Sequence, residues 1–362
     1  MKTLLLGDLS PTAVSDELFK NNDIKTLYND TQAMHKDCDV CFVNLECAIT
    51  ESENAIKKFG PNLKTNLNTA KVLKELGVTH CGLSNNHIFD FGVEGALDTL
   101  KALDESGLEY TGFGKDYEDS RRDLIIEKNG EKIAIIAVCE HEYSYALEDR
   151  MGSRPFDEFE TLEDIREAKK NADRVIVIYH GGKEHCRFPS PRLVRAFRAM
   201  ARAGADVVLG QHSHCIGCYE HYEGCHLLYG QGNYHFVKPS FMTVAESWNT
   251  SLAVRYDTVT GEVEFIPLVN TDEGGIELAK GEEKKEILDR LEACSKKLAS
   301  GEWRAEWHAF CESVAPMYGD NIDNRPKPHF EYSTVLGHYL DCEAHTDVLR
   351  EMYPTYNTIN EK

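Results

Sequence analysis

The first 210 or so residues of this chain alternate short apolar runs with helical patterns. Helix-like stretches such as NTAKVLKELG and VEGALDTLKALDESG separate the apolar runs. This alternation indicates an α/β architecture. The predicted strands are Thr3–Gly7, Val40–Asn44, Val78–Leu83, Lys132–Cys139, Arg174–Tyr179 and Asp206–Leu209.

Two further stretches predict antiparallel hairpins. LIIEKNGEKIAII has a turn at Asn129–Gly130, and SLAVRYDTVTGEVEFIPLV has one near Thr260–Gly261. Hairpins beside alternating units favour a layered sandwich over a simple parallel sheet. From about residue 275 the pattern is helical and charged, as in GEEKKEILDRLEACSKKL. We therefore expect one domain over residues 1–270 and a helical C-terminal extension over 275–362.

Composition excludes some partners. Acidic residues outnumber basic ones 61 to 40, and the net charge of −21 argues against nucleic acid and anionic membranes as partners. No apolar run reaches the roughly 18 residues of a transmembrane helix. The N-terminal KTLLLGD is shorter than the apolar core of a signal peptide. Several of the twelve cysteines lie in strand-like runs, which indicates buried reduced thiols and predicts a cytoplasmic protein.

Polar side chains follow five of the predicted strands. Ligands in α/β folds collect at the carboxyl ends of strands, and carboxylate, amide and imidazole groups suit Mn, Fe or Zn. Each residue alone has a common structural explanation, such as a helix cap or a turn, but their joint placement predicts a centre for one or two divalent metal ions. The polar residues that follow these five strands are Asp8, Glu46, Asn85, Asn86, His87, His180, Gln211, His212 and His214.

Several multi-residue motifs occur in a fixed order over about residues 1–270. They include FVNLECAIT at 42–50, LSNNHIFDFGVEGALDTL at 83–100, HGGKEHCRFPSP at 180–191 and LLYGQGNYHF at 227–236. In these motifs the chain resembles the capsule-synthesis CapA family, also called the poly-γ-glutamate synthesis family. That family is similar to the calcineurin-like metallophosphoesterases. The resemblance implies a four-layer α/β/β/α sandwich of metallophosphoesterase type.

The resemblance also implies a set of metal ligands. Asp8 and His214 would hold one ion, with Glu46 as a bridge between the two ions. The second ion would be held by Asn86, His180 and His212. The chain departs from the phosphoesterase pattern in three places, one of which is Gly210-Gln211 before the two histidines, where the relatives usually have Gly-His. Ser10 stands where the relatives have a histidine, and the glutamate replaces a shorter bridging aspartate, which puts the first metal site and the ion spacing in question.

Two residues of LSNNHIFDFG are predicted to act in catalysis. His87 resembles the family's histidine that meets the leaving group or the scissile centre. Asp90 either accepts a hydrogen bond from His87 or caps the helix that starts near Val93. The predicted activity is metal-dependent cleavage of a phosphoester or a γ-glutamyl amide. The alternative is a noncatalytic capsule-assembly or polyanion-binding protein that keeps the fold.

The expected substrate is an anionic small molecule or a γ-glutamyl polymer. One basis is a row of arginines in PRLVRAFRAMARAG, for which the alternative is a solvated helix face paired with acids. The Cys-x-x-Cys spacings at Cys38–Cys41 and Cys215–Cys218 leave a structural zinc or a redox pair as an alternative to plain packing. The residues predicted to bind substrate are Asn85, Glu184, Arg187 and Asn233.

Overall fold

A computed structural model describes residues 1–140, 143–237, 246–323 and 330–353. Within them the strands are β1 (Lys2–Leu9), β2 (Val40–Leu45), β3 (Ala48–Ile49), β4 (Lys64–Thr65), β5 (His80–Gly82), β6 (Glu109–Thr111), β7 (Phe113–Gly114), β8 (Leu124–Lys128), β9 (Glu131–Cys139), β10 (Gly152–Ser153), β11 (Arg174–His180), β12 (Val207–Gln211), β13 (Tyr219–Tyr222), β14 (Cys225–Leu228), β15 (Asn233–His235), β16 (Thr250–Asp257), β17 (Val263–Asn270) and β18 (Ile276–Leu278).

Helices surround these strands. Short 3₁₀ turns lie at Asn29–Thr31 and Glu246–Asn249. The α-helices are α1 (Ala13–Lys20), α2 (Ile24–Tyr28), α3 (Gln32–Lys36), α4 (Thr69–Leu76), α5 (Gly92–Ser106), α6 (Tyr117–Ser120), α7 (Glu160–Asn171), α8 (Pro191–Ala203), α9 (Gly281–Ser300), α10 (Trp303–Asp323), α11 (Phe330–Asp341) and α12 (Glu343–Met352).

Two mixed sheets form the centre of the protein. The first has the order β18-β17-β16-β1-β2-β5-β6, with β15 also paired to β1, and the second has the order β13-β14-β12-β11-β9-β8. All six predicted strands form, although β5 is shorter than predicted. Both predicted hairpins are confirmed, because β8 pairs antiparallel with β9 and β16 pairs antiparallel with β17.

The two sheets pack face to face, with helices on both outer sides. Leu5 of β1 and Ile135 of β9 belong to one buried cluster between the sheets, whereas Leu4 faces the helices that cover the first sheet. Ile136 of β9 packs with Phe197 of α8 on the outer face of the second sheet. Alternate residues of each strand thus enter different layers, and the predicted four-layer α/β/β/α sandwich is confirmed.

The C-terminal helices begin slightly later than the sequence predicts. Residues 276–278 form β18, which extends the first sheet by pairing with β17, and the first helix begins only at Gly281. Trp307, Tyr318 and Val348 of the later helices form a cluster with Cys186 from the loop after β11. The division into two domains stays a prediction. Within the described ranges, no helix combines the length and the apolarity needed to cross a membrane.

The arginine row on α8 is largely paired within the protein. Arg192 forms buried ion pairs with Glu140 and with Asp347 of α12. Arg198 pairs with Glu220 at 2.7 Å. The alternative reading of acid-paired arginines is correct for these two residues. Arg192, however, joins α8 to the C-terminal helix α12 and is not a solvated side chain.

The cysteines are free thiols, and all of them except the half-buried Cys38 are buried. No disulfide forms at either Cys-x-x-Cys spacing, because Cys38, Cys41, Cys215 and Cys218 all carry free thiols. Burial raises the pKa of Cys215 to about 11, so this thiol stays protonated at neutral pH. These findings suit the prediction of buried reduced thiols. The cytoplasmic location stays a prediction.

Candidate metal centre and substrate cavity

The predicted metal ligands meet at one edge of the sandwich. The neighbouring strands β1, β2 and β5 are parallel, as are β9, β11 and β12, so the residues at their carboxyl ends converge. All of the predicted ligands except Asn86, which is half-buried, are buried. The converging ligands are Asp8, Glu46, Asn86, His180, His212 and His214.

The ligands fall into two groups that share Glu46. Asp8, Glu46 and His180 form one group and Glu46, His212 and His214 the other, with ligand atoms within 4.8 Å of one another in each. This grouping differs from the predicted one, because His180, not His214, is the imidazole grouped with Asp8. Asn86 Oδ1 lies 2.9 Å from His180 Nε2. The shared position of the glutamate is the arrangement that a bridging ligand requires. The assignment of ions to ligands stays a prediction.

Glu46 is the clearest sign that this site fits a cation. Both of its carboxylate oxygens are buried and form no hydrogen bond with the described residues. Its Oε1 lies 3.3 Å from His180 Nε2. Desolvation opposes protonation of His180, but the charges of Glu46 and Asp8 prevail and raise its pKa to about 9. The charge of His180 compensates this buried carboxylate only in part, and a divalent cation would offset the remaining cost of its burial.

The two histidines after β12 have an unusual backbone. His212 and His214 have φ angles of 81° and 53°, in the left-handed region. For non-glycine residues this region costs about 1–3 kcal/mol and is associated with functional sites. Burial, followed by the charge of His180, lowers the pKa of His212 well below its ordinary value. Its imidazole is therefore neutral, which is the form that binds metals.

Asn233 was predicted to bind substrate, and that role stays a prediction. Its side chain is buried, and its Oδ1 lies 2.8 Å from His214 Nδ1. Its Nδ2 donates to the backbone oxygen of Trp248 at 3.2 Å. The amide therefore orients His214 and leaves the Nε2 of that ring for a metal ion.

Asn85 was also predicted to bind substrate, and this role likewise stays a prediction. Its Nδ2 donates to Leu45 O at 2.8 Å, and its Oδ1 accepts from the backbone N–H groups of His87 and Ile88. The side chain is fully buried. Asn85 thus shapes the loop that carries His87, and its polar atoms are already bonded within the protein.

Sequence reasoning missed Asn44. Its Nδ2 donates to Asp8 Oδ1 at 2.7 Å and lies 3.1 Å from His180 Nδ1. It therefore holds two of the candidate ligands in place. The available signal was a single amide in the otherwise apolar strand VCFVNL, in which every residue is buried.

His87 and Asp90 form a buried pair. His87 Nδ1 lies 2.6 Å from Asp90 Oδ2, and the acid also pairs with Lys58. Helix α5 begins at Gly92 after Phe91, without a side-chain cap. The capping alternative is therefore wrong, and the carboxylate orients the imidazole. Lys58 was not predicted, because its loop sequence carries no periodic or motif signal.

A cavity of about 420 Å³ opens beside the candidate metal centre. His87, His212 and His214 line it, together with Lys58 and Lys183. The cavity lining thus combines imidazole ligands with two cationic side chains. The cavity is large enough for a small ligand and offers charges that would orient an anionic one.

Glu184 and Arg187, both predicted to bind substrate, are placed differently. Glu184 lines the cavity, with its Oε1 3.7 Å from His212 Nε2. Desolvation opposes ionisation of this acid, but the charges of Lys183 and His214 lower its pKa to about 2. Among the described residues of this loop, Lys183 lines the cavity and Arg187 does not. The role predicted for the arginine stays a prediction, and Lys183 is a further candidate for binding substrate.

The C-terminal helices form one wall of the same cavity. Phe310, Val314 and Met317 of α10 contribute apolar surface, and His338 and His345 contribute imidazoles from α11 and α12. The extension therefore covers the candidate centre and does not pack only behind the sandwich.

Comparison with known proteins decides the family. A family model described as "Bacterial capsule synthesis protein PGA_cap" matches residues 2–238. The chain belongs to this family. The matched part of this PGA_cap protein includes every candidate metal ligand and His87, whereas the C-terminal helices lie outside it.

Named relatives agree with this assignment. The PGA_cap chain is 33% identical over 215 residues to a "Capsule biosynthesis protein CapA" of Bacillus anthracis, covering 57% of this chain and 51% of that protein. It is 30% identical over 237 residues to a "PGA biosynthesis protein CapA" of Bacillus subtilis, covering 64% and 62%. The match thus spans only about half to three fifths of the length of these relatives.

Solved structures give a weaker likeness. A putative 5'-nucleotidase from Staphylococcus aureus aligns with a TM-score of 0.41 and 13% identity, covering 81% of this chain and 58% of that one. A hypothetical protein from Thermus thermophilus aligns with a TM-score of 0.44 and 17% identity, covering 77% and 100%. Likeness at this level carries no statement about activity.

Proposed function

We propose that this PGA_cap protein is a metal-dependent hydrolase that cleaves a phosphoester or a γ-glutamyl amide in an anionic substrate. The observation that carries the proposal is the position of Glu46. Its carboxylate is buried without hydrogen bonds and is shared by two groups of ligands. A buried carboxylate in this position is suited to bridging two divalent ions.

The donor set of carboxylates and imidazoles suits Mn, Fe or Zn. Ions held there would supply Lewis-acid polarisation of the scissile group and activation of water. Asn233 and Asn44 hold His214 and Asp8 in position. Asp90 aligns the ring of His87 through Nδ1, and when the ring carries both protons its other nitrogen could donate one to the leaving group.

The substrate class follows from the charges and the size of the cavity. The cavity has a volume of about 420 Å³, with an apolar wall from α10. Lys183 lines it with Glu184 and with Lys58, which pairs with Asp90. A phosphorylated small molecule or the end of a γ-glutamyl chain would fit this space. The "PGA biosynthesis" name of a relative supports the second of these. We therefore place the activity in the metabolism of a γ-glutamyl polymer.

One observation favours a noncatalytic alternative. Ser10 is buried beside Asp8, at the position where related phosphoesterases have a histidine. A centre with one imidazole fewer can hold ions more weakly. The protein would then serve capsule assembly, or polyanion binding, with the same fold.

The deciding experiment measures metal content and turnover together. Protein purified without chelator is analysed for Mn, Fe and Zn and assayed with phosphoesters and γ-glutamyl peptides. We expect the wild type to hold one or two equivalents at this centre, measured as the metal that His212→Ala loses, and no change in the control His221→Ala, whose histidine is exposed on β13. Bound metal without turnover of either substrate class supports the assembly role. Absence of metal, even after incubation with Mn and Zn, contradicts both the centre and the hydrolase.

A further inference from the structure

A separate group of metal-binding side chains lies in the C-terminal helices. One ligand atom each from His338, Cys342 and His345 lies within 4.8 Å of the others. His338 is in the last turn of α11, Cys342 precedes α12, and His345 is in its first turn. The three residues are spaced four and three positions apart in the sequence. The bend between the two helices brings their side chains together. All three lie beyond the residues that the family model matches.

The surroundings hold two of these side chains in fixed positions. His345 Nδ1 lies 2.6 Å from the hydroxyl of the buried Tyr318, which leaves Nε2 as its ligand atom. The ring of His338 stacks against Phe59 at 5.3 Å and against Tyr143 at 5.6 Å between centroids. A hydrogen bond to the second ring nitrogen is the usual way in which proteins orient a metal-binding histidine.

All three residues also line the cavity described above. Zinc sites with three protein ligands keep one position open for water or substrate, whereas structural sites are closed by four. One thiolate with two imidazoles is a ligand set that suits Zn²⁺.

We propose that His338, Cys342 and His345 form a second, independent zinc site on the cavity wall, with an open position that accepts an anionic group of a bound ligand. Binding converts the Cys342 thiol to a thiolate, and its proton is released to solvent. The site is independent of the proposed hydrolase centre, because the two share no ligand residue. Either site could therefore exist without the other.

Cobalt titration of the full chain tests the site. Co²⁺ bound to a thiolate absorbs in the near ultraviolet, whereas Co²⁺ bound only by imidazole and carboxylate does not. We expect one equivalent of thiolate-bound cobalt in the wild type and in His212→Ala, and its loss in Cys342→Ser. The matched control is Cys311→Ser, which changes another buried cysteine of the C-terminal helices and should keep the absorption. Zinc added afterwards should displace the cobalt.

Two further variants keep the test decisive if Cys342→Ser does not fold. His338→Gln removes one imidazole and should reduce the affinity and shift the absorption. Tyr318→Phe removes only the partner of His345 and should weaken cobalt binding by about 10- to 100-fold. Wild-type protein without thiolate absorption, or absorption that all three variants retain unchanged, overturns the proposal. Neither result bears on the metal content of the hydrolase centre.

Discussion

The side chain of Asn233 holds the imidazole of His214 through a hydrogen bond of 2.8 Å between Oδ1 and Nδ1. This bond assigns the ring proton to Nδ1 and leaves Nε2 for a metal ion. A second bond, from Nδ2 to the backbone of Trp248, prevents the amide from turning. The residue thus acts on the candidate centre without contacting the metal itself.

Asn233→Ala should weaken metal binding by about 10- to 100-fold, the usual effect of removing a group that orients a ligand. Competition with a chromophoric chelator measures the affinity. The control is Asn171→Ala, at the exposed C-terminal end of α7. Equal affinity in the two variants would show that His214 needs no such support.

His87→Gln should lower kcat by about 10²- to 10⁴-fold and leave metal content unchanged, because the ring is expected to donate a proton and not to bind an ion. Steady-state kinetics and elemental analysis on the same preparation separate the two effects. His221→Gln serves as the control. A parallel loss of metal would instead make His87 a ligand.

Asp347→Ala should destabilise the protein by about 1.5–3 kcal/mol, because it removes one of the two acidic partners of the buried Arg192 guanidinium and leaves Glu140 as the other. Urea unfolding measures the loss. Limited proteolysis should show earlier cleavage of the C-terminal helices. The exposed pair of Lys285 and Asp289 provides the control, since Lys285→Ala should have no measurable effect.

Stability should fall as pH decreases from about 6.5 towards 4. Burial lowers the pKa of His35 and of His235 from 6.5 to about 4, so both are neutral in the folded protein. Their contribution is complete above pH 6.5 and is lost as pH falls through the folded values, because the unfolded chain then binds protons more readily. Each imidazole accounts for roughly 3 kcal/mol at most.

Chemical unfolding at pH 7 and pH 5 checks this expectation. His35→Gln should reduce the difference in unfolding free energy between the two pH values. The control is His221→Gln, which changes an exposed histidine and should leave the difference in unfolding free energy unchanged. If the His35 variant keeps the full pH dependence of the wild type, groups other than His35 cause the loss of stability.

Local sequence determined much of the fold. The apolar runs predicted the strands within a few residues, because a strand buried on both faces needs an almost continuous run of apolar side chains. The turn residues of NGE and TGE identified both hairpins. The family resemblance carried by the motifs further implied the four layers of the sandwich. It also implied that Glu46 is the ligand shared by two ions.

The sequence did not determine which polar groups are already bonded within the protein. Asn85 and Asn233 looked like Asn86, since an amide after a strand has the same local signature whether it meets a ligand or the backbone. Only the packing shows that the first two have donors and acceptors within reach. The sequence likewise does not show which of Arg187 and Lys183 lines the cavity, because both are cationic residues of the same loop.

Tertiary structure alone placed the C-terminal helices over the cavity. Their sequence is amphipathic and charged, which specifies a helix but not the surface that it covers. The contact depends on Arg192 reaching Asp347, 155 residues apart along the chain. Sequence thus determined the elements and the ligand types, because these depend on neighbours along the chain. The fold decided which side chains meet, because that depends on residues distant in sequence.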